Sequence, residues 1–238
     1  MPYNRTLSMA ECLPERFDFL DEYQSHSFAQ IRWDDNDAAG ITIRGKAPKQ
    51  YMYDGLHEEL TELLNEEDRV EPYNRLKVLL SPVLAAETVS STAVARHVKE
   101  FGDVSWYLAN FLKLYDISFA HVAQVGEQAW TLDVESSPRA NVAFHTEIER
   151  RFPFVKLYGY AHELTSVADR ILPKRQDDRV IEEQRLVVAA GKFTLSMIHV
   201  VTTQFDTTYQ EVLEGNKAKL ARRIKDGTIF EKSGGDDR

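Results

Sequence analysis

The stretch Val94-Ala95-Arg96-His97-Val98-Lys99-Glu100-Phe101-Gly102-Asp103-Val104-Ser105-Trp106-Tyr107-Leu108-Ala109-Asn110-Phe111-Leu112 decides the fold. Val94, Val98, Phe101, Val104, Leu108, Phe111 and Leu112 recur in steps of three and four, the repeat of a helix with one buried face. The spacing predicts a helix over 84–115. Working outward, the same pattern predicts helices over 15–31 (Phe17, Leu20, Tyr23, Phe28), 50–66 (Leu56, Leu60, Leu63, Leu64), 73–80, 156–172 and 179–203. Thr207 or Thr208 is placed to cap a last helix that runs to Ile224. From 118 to 160 the pattern weakens; Ser136-Ser137-Pro138 reads as a turn, with a helix following through Phe152. The segment 33–50 reads as loop around one strand-like run, Ile41-Thr42-Ile43, and the tail from Asp226 to Arg238 as loop. The fold class is therefore all-α, a helical bundle.

Composition narrows the function classes. The chain has 238 residues, 38 acidic and 29 basic side chains and a net charge of −9. That length suits one or two domains and a core that needs no covalent or metal staple. The acidic balance argues against nucleic-acid binding, which needs a basic footprint. An anionic small substrate fits only where cations or a local basic cluster neutralise it. The single cysteine, Cys12, excludes an internal disulfide, a cysteine-based zinc site and a two-cysteine redox motif. No run reads as a membrane span, and Met1-Pro2-Tyr3-Asn4-Arg5 leads into no apolar signal segment, so a cytoplasmic location is expected.

A weak internal repeat is visible. Gly55-Leu-His-Glu-Glu-Leu-Thr resembles Gly159-Tyr-Ala-His-Glu-Leu-Thr, Phe101-Gly-Asp-Val resembles Ala190-Gly-Lys-Phe, and Asp116-Ile-Ser-Phe-Ala-His-Val resembles Asp206-Thr-Thr-Tyr-Gln-Glu-Val. Helical sequences resemble each other by chance, so the repeat is an expectation: two pseudo-symmetric helical units in one chain, 1–125 and 126–238, or one continuous domain.

Two acidic clusters carry chemistry. Glu58-Glu59-Leu60-Thr61-Glu62 is an EExxE pattern, and Glu100-Phe101-Gly102-Asp103 an ExxD pattern. Residues three apart share a helix face, so Glu59 projects with Glu62 and Glu100 with Asp103. If the two helices lie antiparallel, the four carboxylates converge, and they repel unless cations sit between them. Oxygen-only ligands favour hard cations, Mg²⁺ first and Mn²⁺ second. EExxE alone also occurs on solvated helix faces; the ExxD is harder to assign there, because Val104-Ser105-Trp106-Tyr107-Leu108 follows it directly. No Glu-x-x-His, HExxH, phosphate loop or GxSxG elbow is present.

The densest basic run is Asn216-Lys217-Ala218-Lys219-Leu220-Ala221-Arg222-Arg223. Asn216, Lys219 and Arg223 fall on one helical face. A cationic helix C-terminus is favoured by the macrodipole alone. Beside an acidic metal cluster, the same cations are what a polyphosphate needs on its far oxygens.

Together these residues resemble the all-α nucleoside triphosphate pyrophosphohydrolases, the MazG-like family. The resemblance rests on Glu58-Glu59-x-x-Glu62 followed by Glu100-x-x-Asp103, and on Gly55-Leu56 before the first motif. It extends to the Leu20-Asp21-Glu22-Tyr23-Gln24 helix, the Gly102–Leu108 stretch, and Asn216-x-x-Lys219-Leu220-x-x-Arg223 with Gly227-Thr228 and a Gly-Asp-x-Arg ending at Arg238. The 37-residue gap between Glu62 and Glu100 is longer than usual for the family, and 118–205 has no clear counterpart in compact members.

The resemblance implies Mg²⁺-dependent hydrolysis of a (d)NTP to monophosphate and pyrophosphate. Glu59, Glu62, Glu100 and Asp103 would hold metal; Glu58 and Glu62 would serve catalysis. Asn216, Lys219, Arg223 and Arg238 would bind substrate, and Trp106 or Tyr107 would stack on a base. The repeat sharpens this expectation. Unit one keeps the carboxylates, whereas unit two keeps Asn216, Lys219 and Arg223 and reads Glu163, Ser166, Ala189 and Lys192 at the acidic positions. One chain would then imitate a two-subunit arrangement, which requires both clusters within about 15 Å, the reach of a side chain plus a triphosphate. The alternative is a non-catalytic helical module that binds nucleotides or a partner. Base preference, and monomer against homodimer, stay open.

Overall fold

A computed structural model describes residues 12–31, 42–63, 91–136, 153–173, 179–205 and 207–226. These form seven helices: α1 (Asp18–Ala29), α2 (48–63), α3 (Ser91–Lys113), α4 (Phe119–Ser136), α5 (Pro153–Ile171), α6 (Val180–Gln204) and α7 (Tyr209–Lys225). The all-α expectation holds among the described residues. The helix expected over 73–80 and the stretch through Phe152 lie outside them.

Local chemistry sets several boundaries. Pro48 opens α2, where its fixed φ and missing N–H suit a first helical position. Thr208 caps α7 in a reciprocal capping box: its hydroxyl accepts the Glu211 N–H, and the Glu211 carboxylate accepts the Thr208 N–H at 2.8 Å. The strand-like run expected at 41–43 is no strand in its described part. Ile43 and Lys46 exchange two backbone hydrogen bonds across Arg44 and Gly45, both at positive φ. That is a tight two-residue turn, for which Gly45 at φ 74° is suited.

Helix α4 departs most from the sequence reading. It runs unbroken through the region where periodicity fades. Its buried face is built partly from small residues, Ala120, Ala123 and Gly126, which leave a weak apolar signature. They let α4 lie backbone to backbone on α6. A Cβ added to Gly126 would fall 2.4 Å from the carbonyl carbon of Gly191, so only glycine fits there. The boundary expected at 125/126 falls inside this helix.

Helix α6 is the hub, packed chiefly against α5 and α4. By length and composition it is apolar enough to cross a membrane, contrary to the sequence reading. However, 78% of its most apolar window is buried within the protein, which makes it a core helix of this bundle. On the other side of the molecule α3 packs against α7 and α1. Tyr107 of α3 lies over Gly55 of α2, where any Cβ would strike its ring at 2.0 Å. One continuous apolar core, from Leu20 and Phe101 to Phe193 and Leu213, joins all these helices.

Helix α1 is tied in by polar groups as well. Asp21 accepts from the Ser118 hydroxyl and from the Ala120 N–H, both at 2.9 Å, and so binds the start of α4. The Gln24 amide donates to the carbonyls of Ala109 and Ile117 at 2.9 and 3.0 Å and accepts from the Phe119 N–H. Gln24 is buried, and these bonds satisfy it at the corner between α3 and α4.

Candidate metal and phosphate site

The carboxylates of Glu59 and Glu62 on α2 and Glu100 on α3 each offer an oxygen within 4.8 Å of the other two. Three of the four expected ligands thus converge. Burial, and then the charges of Asp103, Glu62 and Glu100, push the Glu59 carboxyl up to about 8. Burial, followed by Asp103, pushes Glu100 up to about 7. Both acids resist ionising because each adds a negative charge where several already sit in a region poor in water. A cation among the three carboxylates would relieve that repulsion, and oxygen donors of this kind suit hard cations.

Asp103 is close enough to act on both of those carboxyls, but its own oxygens point elsewhere. Its Oδ1 accepts from the Asn216 amide at 2.8 Å and from Lys219 Nζ at 2.6 Å, and Oδ2 also accepts from Lys219. The expected ligand is therefore held as an ion pair and stands outside the three-carboxylate group. The physical reason is local: Lys219 supplies a full positive charge to a nearly buried carboxylate, with both side chains about one-seventh exposed.

The basic cluster thus reaches the acidic one across more than a hundred residues of sequence. Asn216 fits because Gly102 has no side chain: a Cβ there would sit 3.0 Å from Asn216 Cβ. Tyr23 of α1, which pattern reading counts only as core, donates its hydroxyl to Asn216 Oδ1 at 2.8 Å. This fixes the Asn216 amide so that its nitrogen faces Asp103. Burial raises the Tyr23 pKa well above its ordinary value, so it remains a donor. Its place in the Leu20–Gln24 stretch is the only sequence signal that marks it.

The remaining expected residues divide. Glu58 is exposed on α2, next to the trio but not within it. Arg223 lies one turn beyond Lys219 on α7, half-buried. Arg238 lies outside the described residues. Trp106 is buried at 6% exposure, edge-on to Tyr107 at 4.7 Å between centroids. It belongs to the core, whereas Tyr107 is half-buried beside Tyr51.

Compared with known proteins, the chain matches no family model, and no curated protein or solved structure of significant similarity is found.

Proposed function

We propose that this chain is a Mg²⁺-dependent nucleoside triphosphate pyrophosphohydrolase of the all-α, MazG-like type. One observation carries the reading: Asn216 and Lys219 of α7 meet Asp103 at hydrogen-bond distance, beside three carboxylates clustered within 4.8 Å. Cation-binding oxygens and phosphate-binding nitrogens thus share one site, as polyphosphate chemistry requires.

Glu59, Glu62 and Glu100 would hold the metal, with Asp103 joining them when Lys219 turns to a phosphate oxygen. Bound there, Mg²⁺ supplies charge neutralisation on the phosphates and a more acidic water. Water attacks the α-phosphorus, the α–β anhydride bond breaks and pyrophosphate leaves. The water's proton passes to a carboxylate, for which Glu58 and Glu62 are the exposed candidates on α2. Lys219, Arg223 and Asn216 neutralise and orient the departing phosphates. Tyr107 offers its ring to the base.

The two-unit reading belongs to the same proposal and has support in the packing. Gly102 of α3 meets Asn216 of α7, and Gly191 of α6 meets Gly126 of α4. Gly191 stands 89 residues after Gly102, and Asn216 stands 90 after Gly126. On this reading α7 packs on the acidic-motif helix α3, and α4 packs in the same way on α6, the counterpart of α3.

The test is pyrophosphate release across the eight common NTPs and dNTPs, with Mg²⁺, with Mn²⁺ and with chelator. The proposal expects metal-dependent monophosphate and pyrophosphate, abolished in Asp103→Asn and Glu62→Gln with the fold retained. Orthophosphate as product, or unchanged turnover in either variant, would overturn it. The direct Lys219–Asp103 pair favours a second reading, a nucleotide-binding module without turnover. Calorimetric nucleotide binding with no product would select that one.

A further inference from the structure

The α5–α6 face carries a groove of about 670 Å³ lined by Glu163, Ser166, Arg170, Gln184 and Arg185, with Gly159 at one end. On the two-unit reading, which this inference rests on, Glu163 and Ser166 stand where α2 has Glu59 and Glu62. The α6 partners of Glu100 and Asp103 are Ala189 and Lys192. Glu163 and Ser166 line this groove, so its α5 wall stands where the metal site has α2, with one of that wall's two carboxylates replaced by a hydroxyl. The groove cannot assemble an oxygen cage for a divalent cation, yet its volume is that of a small-molecule site.

Its polar groups are ordered for a different ligand. Glu182, nearly buried, accepts from Arg170 Nε at 3.2 Å and from Arg185 Nη1 at 2.8 Å, and so draws two guanidinium groups from different helices to one point. Arg170 also donates to the Ser166 hydroxyl at 2.9 Å. Each guanidinium has five N–H groups, so the pair keeps donors for a ligand. Glu163 lies seven residues before Arg170 on α5, about 10 Å along the helix axis, and His162 and Gly159 lie beside it. The groove therefore has a cationic end and an acceptor end. Ile181, 63% exposed, adds an apolar lip.

We propose that this groove is a second, metal-independent ligand site for a phosphomonoester of nucleoside monophosphate size. The phosphate sits on the Arg170–Arg185 pair, and donor groups at the far end of the ligand face Glu163. The site is separate from the carboxylate cluster and needs no turnover there.

The experiment is calorimetric titration of the full chain with AMP, CMP, GMP and UMP in EDTA, with inorganic phosphate as a further probe. Saturable binding of at least one monophosphate is expected, weakened about tenfold or more in Arg170→Ala/Arg185→Ala. Gly159→Leu is the second variant. A Cβ at Gly159 meets nothing within 4 Å, and leucine suits a helix better than glycine, so the chain should fold while the side chain obstructs the groove. Its binding should fall at least as far. Absence of saturable binding at millimolar ligand would overturn the proposal. Binding that survives Gly159→Leu and tightens in Glu62→Gln would also overturn it, by moving the ligand to the carboxylate cluster. A chain that binds monophosphate in this way but releases no pyrophosphate would refute the catalytic reading alone.

Discussion

Lys219→Ala tests the electrostatics of the site most directly. The Lys219 and Asp103 side chains are 14% and 16% exposed, and Asp103 lies close enough to Glu59 and Glu100 to raise both of their pKa values. Removing the ammonium strands a nearly buried carboxylate among like charges. Breaking such a pair from one side costs about 3–5 kcal/mol, and the Asn216 amide, still donating, keeps the loss near the lower figure. For a chain of this size each kcal/mol moves Tm by roughly 2–4 °C, so the variant should melt about 6–12 °C below wild type in EDTA. Millimolar Mg²⁺ should narrow that gap, because the cation supplies the missing charge, and a ligand at about a hundred times its Kd adds roughly 2.7 kcal/mol to the folded state. Lys219→Met, which keeps the apolar stem, should fall nearly as far in EDTA, assigning the loss to charge and not packing. The assay is thermal unfolding by circular dichroism with chelator and with Mg²⁺. A Lys219→Ala chain that melts with wild type in EDTA, or a gap that Mg²⁺ leaves untouched, would refute the reasoning.

Other outcomes follow from the same geometry. With Glu59 pushed up to about 8 and Glu100 to about 7, both acids hold their protons more tightly when folded. The chelated protein should therefore lose stability as pH rises through 7 and 8, and Mg²⁺ affinity, read by calorimetry, should rise on the order of several hundredfold between pH 6 and pH 8. Tyr23→Phe removes one buried donor to Asn216; it should cost about 1 kcal/mol in urea unfolding and lower turnover through loss of Asn216 orientation, with Mg²⁺ binding kept. Gly126→Ala puts a methyl group 2.4 Å from the Gly191 backbone and should cost about 3 kcal/mol or more in the same assay, as α4 and α6 are forced apart.

What pattern reading recovers here is what one helix decides alone. Leu56, Leu60 and Leu63 declare the inner face of α2, and Phe101, Val104, Leu108 and Phe111 that of α3, because large apolar side chains repeat at helical spacing. The carboxylates follow from the same phase: once those faces are set, Glu59 and Glu62 share one side, and Glu100 sits at the edge of the buried one. Helix α4 escapes, because its contact with α6 is made by small residues and backbone, which periodicity does not register. Trp106 and Tyr107 are neighbours with equal claims in sequence; the helix phase buries one and leaves the other at the rim. The partner of Asp103 is invisible for a further reason. Its identity depends on which of several basic helix faces docks on α3, a choice made by contacts far apart in the chain.

That docking explains why the site's chemistry is coupled to the last helix. Helix α7 is held to α3 at successive levels. The Tyr209 and Ser105 hydroxyls hydrogen-bond at 2.6 Å, Asn216 packs on Gly102, and Lys219 pairs with Asp103. From the Tyr209–Ser105 bond to the Asn216–Gly102 contact the residue number rises along α7 and falls along α3, so the two helices run antiparallel there. Gly102 and Asp103 are adjacent, and their roles are linked. The missing side chain at 102 lets α7 approach, and the approach brings Asn216 and Lys219 to the carboxylate at 103. Without α7 the cluster would be four acids with no cation among these partners, two of them already reluctant to ionise. With α7 docked, one acid is neutralised and its ammonium stands at the edge of the three that remain. An incoming polyphosphate with its cations would exchange partners there, metal for ammonium on Asp103 and phosphate for carboxylate on Lys219, with no large change in total charge.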